Sequence, residues 1–429
     1  MVFKPVGVDE NGTFPERVET RFNEEFINTS NLDSLNGGLV DNSATSVWWS
    51  KLVSKLKTLF TSKDTGVINV KDYGAKGDGA TNDTVAINAA IAAMVAGSTL
   101  FFPPGRYMTN GGHIFDKPSI KVVGSSGRAQ TYNSQCQLYL RNGSNADMFT
   151  AKNNQQTYRD ISLYGNYNNQ TGVSRGFVTS AETGANYILL DAVWVDSFNG
   201  DGFSFESGAT ISSTVVNCES RVNRGFGMKF YGTSTDSMVA NCYIDQNTQS
   251  GIFCSAGDVS FTSIHIWGNG TSGSGDQDGI TFQSSAGCRV VNCYIETQNN
   301  GSGIRFKSGA NRGHIIQGCD IWSNGYQGIY GFSAQNVVVN GNVIRTNNYK
   351  GQANGAGILW DSCIAMNVTG NQFYNIGASR QAYGYYEVGT ANADCLFVAN
   401  ISRAADHNTG NWVVVTGTAK PTLVANNIG

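Results

Sequence analysis

The chain of 429 residues has few prolines (6), few histidines (4) and few charged residues (14%). The histidines are scattered and no Cys-x-x-Cys pair occurs, so we expect no structural metal and no cofactor. The basic residues are dispersed and the net charge is −3, which argues against nucleic acid as a partner. No apolar run reaches about 18 residues, so we expect no insertion into a membrane.

The N-terminus also lacks the apolar segment and the cleavage site of a secretory signal peptide, so we expect synthesis in a cytoplasm without that route of export. Nine cysteines are present. Four of them, Cys218, Cys242, Cys293 and Cys319, recur at one position of a repeated segment, here called the cysteine slot, whose side chain is predicted to point inward. A small apolar side chain packs well in such a slot. We therefore interpret these cysteines as reduced core residues and not as disulfide partners.

Glycine, by contrast, is abundant (52 residues), and several of the glycines open a repeat. Between Gly176 and Gly384 a glycine is followed by apolar or aromatic residues that bracket one outward residue, about every 25 residues. The clearest copies are Gly202-Phe-Ser-Phe, Gly227-Met-Lys-Phe, Gly251-Ile-Phe-Cys, Gly279-Ile-Thr-Phe, Gly303-Ile-Arg-Phe, Gly328-Ile-Tyr-Gly and Gly357-Ile-Leu-Trp. Such a period indicates stacked units that share one continuous core.

A second repeat runs in step with the first and continues the cysteine slot through Asn342 and Asn371. Each slot residue is followed by one outward residue and usually by one apolar inward residue, which predicts strands with one buried face. No helical pattern of about ten residues lies between the strands, which argues against a βαβ barrel or a doubly wound sheet. The sequence therefore predicts an all-β, single-stranded, right-handed parallel β-helix over residues 67–429.

Residues 1–66 differ from this pattern and predict a short helical N-terminal arm. Val18, Phe22 and Phe26 follow helical spacing, and a second amphipathic pattern covers residues 43–62. Two interpretations remain open for this segment. It is either a helix packed on its own domain, or an arm for oligomerisation or docking.

Residues 72–84 read Asp-Tyr-Gly-Ala-Lys-Gly-Asp-Gly-Ala-Thr-Asn-Asp-Thr and predict a turn that leads into a capping helix at about 81–96. Thr81, Asn82 and Asp83 are expected to cap the free amides at the start of this helix. The side chains expected to close the open end of the β-helix are Val85, Ile87, Ile91 and Val95.

The pattern at 72–84, together with Phe-Pro-Pro-Gly-Arg-Tyr at 102–107, closely resembles the opening of the pectate-lyase-like superfamily. It is most similar to the branch of bacteriophage tailspikes and related polygalacturonase-like enzymes. The resemblance implies a homotrimer on the virion tail that binds, and in many cases cleaves, bacterial surface polysaccharide. It also implies attachment to other virion tail proteins through residues 1–66. Residues 396–400 and 423–426 look like two further rungs, so no distinct C-terminal trimerisation module is expected.

Candidate site residues follow from the predicted strand register. The outward residues that stack on neighbouring coils are Asp245, Trp267, Glu296 and Trp322 in one column, and His265, Tyr294 and Asp320 in the next. Adjacent coils lie about 4.8 Å apart, so these side chains should form one surface. An aromatic surface beside carboxylates is what sugar rings and their hydroxyls require.

We predict that the aromatic members of this surface bind glycan and that its carboxylates catalyse cleavage. The glycan-binding residues are Trp267, Trp322, Tyr294 and His265. The catalytic residues are Glu296 paired with Asp320 or Asp245, because carboxylates one or two coils apart fall within the glycosidase range of roughly 5 to 9.5 Å. The alternative is that these side chains only cover the surface or a subunit interface.

Three function classes remain open: a depolymerase, a non-catalytic adhesin and a structural tail protein. The aspartate signature of the polygalacturonase branch is absent, and Lys229 and Arg305 face outward in another column. A lyase would need such a base beside a carboxylate-binding site, so we expect a hydrolase before a lyase. Two long turns, residues 268–278 and 346–356, follow the same strand and are expected to wall a binding groove.

Overall fold

The computed structural model describes residues 66–126, 136–182, 184–206, 211–376, 381–389, 391–402, 410–414 and 422–428. These residues form an all-β, right-handed parallel solenoid of about 12 turns with very little helix, as the sequence predicts. No helix in this part of the chain is long and apolar enough to cross a membrane. The predicted N-terminal arm lies outside the described residues.

The strands stack coil on coil into a 25-stranded sheet and a 12-stranded sheet. The larger sheet contains two ladders, joined by the long strands β9 (Thr157–Tyr164) and β11 (Leu189–Asp196), which belong to both. The remaining strands of the first ladder are β1 (Val67–Asn69), β3 (Thr99–Phe102), β6 (Lys121–Gly124), β13 (Thr214–Val216), β16 (Met238–Ala240), β19 (Ser260–Thr262), β22 (Arg289–Val291), β25 (Ile315–Gln317), β28 (Val338–Asn340), β31 (Asn367–Thr369), β34 (Leu396–Val398) and β37 (Leu423–Ala425).

The second ladder runs beside the first along the same sheet. Its remaining strands are β2 (Asp78–Asn82), β4 (Gly105–Thr109), β7 (Cys136–Leu140), β14 (Glu219–Arg221), β17 (Tyr243–Asp245), β20 (His265–Trp267), β23 (Tyr294–Glu296), β26 (Asp320–Trp322), β29 (Val343–Arg345), β32 (Gln372–Tyr374) and β35 (Ile401–Ser402).

The 12-stranded sheet closes the third side of the solenoid and contains the glycine repeat. Its strands are β5 (His113–Phe115), β8 (Phe149–Ala151), β10 (Phe177–Thr179), β12 (Phe203–Phe205), β15 (Met228–Phe230), β18 (Ile252–Cys254), β21 (Ile280–Phe282), β24 (Ile304–Phe306), β27 (Ile329–Phe332), β30 (Ala356–Asp361), β33 (Tyr383–Val388) and β36 (Gly410–Val413).

Among the described residues the helical elements are α1 (Thr84–Ala92) and two 3-10 turns, Val70–Tyr73 and Tyr167–Asn169. Helix α1 is shorter than the predicted 81–96, because β2 pairs with β4 and keeps Thr81 and Asn82 extended. It buries Ile87, Ala90 and Ile91 against the core. Two of the four side chains predicted to close the end of the β-helix do not do so, since Val85 and Val95 are exposed.

The buried carboxylate of Asp83 fixes the turn that precedes β2 and does not cap the helix through its side chain. It accepts hydrogen bonds from the backbone amides of Lys76 (2.7 Å) and Gly77 (3.1 Å). Burial raises the pKa of Asp83, which these two amides partly offset. The turn that begins the Gly77-Asp-Gly motif is thus held in place by Asp83, the residue immediately before α1.

The repeated glycines allow neighbouring coils to approach closely. A Cβ at Gly303 would lie 2.7 Å from the carbonyl oxygen of Gly328 and 2.9 Å from Nδ2 of Asn324. Asn324 belongs to a buried ladder, in which its Nδ2 donates to Oδ1 of Asn347 (2.8 Å) and Asn347 donates to Gln381 (2.8 Å). The glycine repeat and the amide ladder therefore occupy the same corner of each coil.

The cysteine slot lies in the core as predicted, and all nine cysteines are buried and free. In the last coils the slot is occupied by Asn371, Asn400 and Asn427, joined by side-chain hydrogen bonds. Asn427 aligns with Asn400, because Leu396 pairs with Leu423.

We expect Cys293→Ala to lower the free energy of unfolding by about 1 kcal/mol, because it removes one small buried group. Urea unfolding followed by circular dichroism measures this loss. The thiols of Cys218, Cys242, Cys293 and Cys319 should resist a thiol reagent in the folded protein and react after unfolding. Fast labelling of all four in the native state contradicts the register.

Candidate functional site

The outer surface of the second ladder, here called the lateral face, has the register that the sequence predicts. One column, in coil order, is Trp194, Glu219, Tyr243, His265, Tyr294, Asp320, Val343 and Gln372. The other is Asp196, Arg221, Asp245, Trp267, Glu296, Trp322, Arg345 and Tyr374. The predicted site residues therefore share one face of the solenoid.

Glu296 is held by a histidine on the preceding coil. Its Oε1 accepts a hydrogen bond at 2.9 Å from Nε2 of His265, and its side chain is 15% exposed. The ring of Tyr294 lies 4.9 Å from the His265 ring, centroid to centroid. Glu296, His265 and Tyr294 thus form one contact group, in which the imidazole fixes the carboxylate.

Asp320 forms a bidentate ion pair with Arg345 on the following coil. The guanidinium donates from Nε to Oδ1 (3.1 Å) and from a terminal nitrogen to Oδ2 (2.8 Å). The same guanidinium lies 4.3 Å above the ring of Trp322. Asp320 is therefore suited to holding Arg345, and one face of Trp322 is covered by protein.

Asp245 is the acid of the lateral face whose pKa is raised most clearly. Its carboxyl is buried (3% exposed), and burial raises its pKa to about 7, although the guanidinium of Arg221 opposes the shift. The nearest Arg221 nitrogen is 3.9 Å away. Burial therefore favours the protonated form of the Asp245 carboxyl.

Asp245, Trp267 and Glu296 occupy the same column on three successive coils. With a rise of about 4.8 Å per coil, the two acids are separated by about 9.6 Å along the axis. Trp267 lies between them and is half-buried. A hollow of about 180 Å³ opens nearby, lined in part by Trp194, Glu219 and Tyr243.

Sequence reasoning missed a second cluster of charged side chains, on the 12-stranded sheet. Arg175 pairs with Asp147 (2.8 Å) and Glu206 (2.6 Å), and Glu206 also accepts from the Ser204 hydroxyl (2.7 Å) and lies 3.6 Å from the Lys229 ammonium. A groove of about 380 Å³ lies over part of this cluster. Each cation of the cluster lies beside a carboxylate, so the positive and negative charges of the cluster offset one another.

Ser204 and Lys229 occupy the same outward position in successive copies of the glycine repeat, which could have indicated part of this cluster. Asp147 lies before the regular repeat begins, so the repeat could not have indicated it. Within the described residues no group of three or more His, Cys, Asp or Glu side chains could hold a metal ion.

Two family models match the chain: "Rhamnogalacturonase A/epimerase, pectate lyase-like" over residues 67–330, and "Right handed beta helix region" over residues 271–428. Mannuronan C5-epimerase AlgE5 of Azotobacter vinelandii is 27% identical over 281 residues, which is 61% of this chain and 25% of the epimerase. Alginate lyase 7 of the same organism is 34% identical over 133 residues, which is 28% of this chain and 15% of the lyase. This chain therefore spans about a quarter or less of the length of these relatives.

Two solved structures illustrate the shared fold. The A-module of mannuronan C-5 epimerase AlgE6 from Azotobacter vinelandii has a TM-score of 0.67 at 20% identity, covering 84% of this chain and 98% of that one. The Dettilon tailspike protein has a TM-score of 0.65 at 16% identity, covering 81% of this chain and 69% of that one. At such low identity these likenesses establish the parallel β-helix alone.

Proposed function

Because the chain belongs to the rhamnogalacturonase A/epimerase, pectate-lyase-like family, we propose that it acts on polysaccharide, and that it hydrolyses glycosidic bonds at the lateral face. The observation that supports hydrolysis is one acid pair. Asp245 has a pKa of about 7, and Glu296 follows two coils later in the same column. A pair of this kind supplies a proton donor and a base at the same pH.

In the proposed reaction Asp245 donates a proton to the leaving glycosidic oxygen, and Glu296 removes a proton from the attacking water. Inverting glycosidases place their two carboxyl groups about 6.5 to 9.5 Å apart to leave room for that water. The axial spacing of about 9.6 Å lies just above the upper limit of this range. His265 positions the Glu296 carboxylate, and the half-buried Trp267 offers an apolar surface to the sugar between the two acids.

The other predicted residues have supporting roles in this proposal. Asp320 and Trp322 hold Arg345 from two sides, two coils beyond Glu296 in the same column. Tyr294 packs against His265 and fixes the imidazole that holds Glu296. Aromatic and hydrogen-bonding groups along the face then bind the sugar units on either side of the cleaved bond.

Product chemistry tests hydrolysis. Wild-type protein incubated with purified bacterial surface polysaccharides should release new reducing ends without unsaturated sugar ends. Unsaturated ends would show that the bond is cleaved by elimination and would overturn the proposal of hydrolysis. The proposal that the protein acts on polysaccharide would still stand.

We expect Asp245→Asn to remove a pH dependence of stability. The folded-state pKa of about 7 lies above the unfolded value of 3.8, so this group contributes stability below about pH 4 and loses it as the pH rises through 7. The slope for one proton is at most about 1.4 kcal/mol per pH unit. Urea unfolding of wild type and variant between about pH 4 and pH 8 measures the difference. Asp236→Asn, at an exposed site, is the matched control.

We also propose that the protein is a tailspike or tail appendage of a bacteriophage, that it forms a homotrimer, and that it recognises polysaccharide on the host surface. The support is the tailspike-like solenoid together with the change in sequence pattern at Gly66. Residues 1–66 are then the segment that attaches to other virion tail proteins.

A protein truncated to begin at Val67 should keep a β-rich circular dichroism spectrum but fail to enter virions. The spectrum should persist because the solenoid buries its own core. Incorporation should fail because the truncated protein lacks the segment that is proposed to attach it. Complementation of a phage that lacks the full-length gene product measures incorporation. Normal incorporation of the truncated protein contradicts an attachment role for residues 1–66.

One observation favours a second candidate function, receptor binding without catalysis. Glu296 and Asp320 both contact cationic or hydrogen-bonding partners on neighbouring coils, as expected of a surface built to hold its shape. A non-catalytic adhesin should bind the same polysaccharide and release no product.

A further inference from the structure

The hollow of the lateral face lies between two aromatic residues of one column. Trp194, Glu219 and Tyr243 are in register on three successive coils. At about 4.8 Å per coil, the two aromatic residues are separated by about 9.6 Å along the axis. Glu219 lies between them, is 7% exposed and lines the hollow. The column therefore forms a slot with an aromatic residue at each end and a carboxylate between them.

Turn residues form the side of the hollow that borders the first ladder. Ala192, Asn217 and Asn241 line this side. The Asn217 amide is held in place, because its Nδ2 donates to Oδ1 of Asp191 at 2.9 Å. Ala192 has only a methyl group and leaves room beside the two amides. The hollow thus adds amide groups, which can donate to and accept from sugar hydroxyls, to the carboxylate and the aromatic residues.

The volume of the hollow, about 180 Å³, suits a single sugar ring. A protein cavity of about 150 Å³ is large enough to hold benzene, which is also a six-membered ring. The apolar faces of a sugar pack on aromatic rings with carbon atoms about 3.5 to 4.0 Å apart. Two such contacts need about 7 to 8 Å, which is within the separation of about 9.6 Å between the aromatic residues. Tyr243 is 42% exposed, so a ligand can contact its ring.

One guanidinium connects the hollow with the proposed proton donor. Arg221 lies 3.8 Å from Glu219 and 3.9 Å from Asp245. Asp245 also follows Tyr243 by two residues in the same strand, a distance of about 7 Å. The sugar released by hydrolysis is attached to the oxygen that Asp245 protonates, so it must bind at this end of the acid pair. Glu296 lies two coils further on, away from the hollow.

We propose that the hollow binds the sugar unit on the leaving-group side of the cleaved bond, and that this unit is an uncharged hexose. The inference rests on the proposed hydrolysis and names the sugar beside its proton donor. Three carboxyl groups lie within 4.0 Å of the Arg221 guanidinium, those of Asp196, Glu219 and Asp245. A uronic acid would add a further negative charge beside them, which is unfavourable. The hydroxyls of an uncharged hexose can instead donate to Glu219.

The test titrates full-length protein with three matched pairs of sugars, followed by nuclear magnetic resonance of the sugar. The pairs are glucose and glucuronic acid, galactose and galacturonic acid, and mannose and mannuronic acid. We expect at least one hexose to bind, and its uronic acid to bind at least about tenfold more weakly. Tyr243→Ala should weaken hexose binding about three- to tenfold through loss of ring packing, and Tyr243→Phe should retain it. Glu219→Gln should reduce the preference for the hexose over its uronic acid, because it removes a negative charge.

Tyr231→Ala is the matched control, because Tyr231 is 45% exposed and lies outside the hollow, and it should bind like wild type. Unchanged circular dichroism excludes unfolding of the variants. No binding of any hexose, equal binding of a hexose and its uronic acid, or unchanged binding by Tyr243→Ala overturns the inference. The proposed hydrolysis fails separately: Glu296→Gln should lose cleavage and keep hexose binding. Hexose binding that depends on Tyr243, without cleavage of any polysaccharide by the wild type, would overturn hydrolysis and support the hollow as a sugar site.

Discussion

Replacing Glu296 by glutamine should reduce polysaccharide cleavage at least about 100-fold, the lower range for removal of an acid–base group. Glutamine is nearly isosteric and keeps an oxygen that can accept the hydrogen bond from His265 at the same place. It cannot remove a proton from water. The fold and the glycan affinity should therefore persist while turnover is lost, and Trp322→Ala should weaken binding of the glycan.

Glu182→Gln is the matched control for this experiment, because Glu182 is 83% exposed and lies at the other sheet. It should cleave like wild type, and both variants should give wild-type circular dichroism. Cleavage that is unchanged in Glu296→Gln would move the catalytic site elsewhere. Glycan binding without any cleavage by the wild type would support the adhesin.

Replacing Trp360 by alanine should lower the free energy of unfolding by about 3 to 5 kcal/mol, as for other large buried aromatic residues. Trp360 is fully buried, and it pairs in register with Gly331 on the preceding coil. A Cβ at Gly331 would lie 2.5 Å from Cε3 of Trp360. The indole thus fills the space that this glycine leaves, and its ring centre lies 6.5 Å from that of Phe306.

This interlocking predicts strong coupling between the two positions. Gly331→Ala alone should destabilise the protein, whereas Gly331→Ala in the Trp360→Ala background should recover part of the lost stability by filling the cavity. Urea unfolding of the four proteins gives the coupling energy, and Trp267→Ala, at a half-buried site, should cost less than Trp360→Ala. Purely additive losses would contradict the packing described for this coil.

The column register of the lateral face could be predicted because side chains in a strand alternate with a strict period of two. Once the slot of Cys293 and Cys319 is recognised as inward, the outward positions of Glu296 and Asp320 follow, and the pairing of strands confirms them. The same reasoning places Arg305 and Tyr330 in one column of the other sheet.

Contacts between side chains could not be predicted in this way, because register fixes only the column and not the rotamer. Nothing in the sequence indicates that Arg345 reaches back to Asp320 or that His265 reaches forward to Glu296. The predicted start of α1 is wrong for a related reason, since pairing of β2 with β4 competes with helix formation around Thr81.

The anomeric configuration of the first product tests the central claim most directly, because it reports the spacing of the catalytic acids. Nuclear magnetic resonance of a bacterial surface polysaccharide, followed from the moment that wild-type protein is added near pH 7, measures it. Asp245 and Glu296 acting two coils apart predict a saturated reducing end with inverted configuration. Retained configuration, an unsaturated end, or no product from any polysaccharide that the protein binds would contradict hydrolysis by this pair.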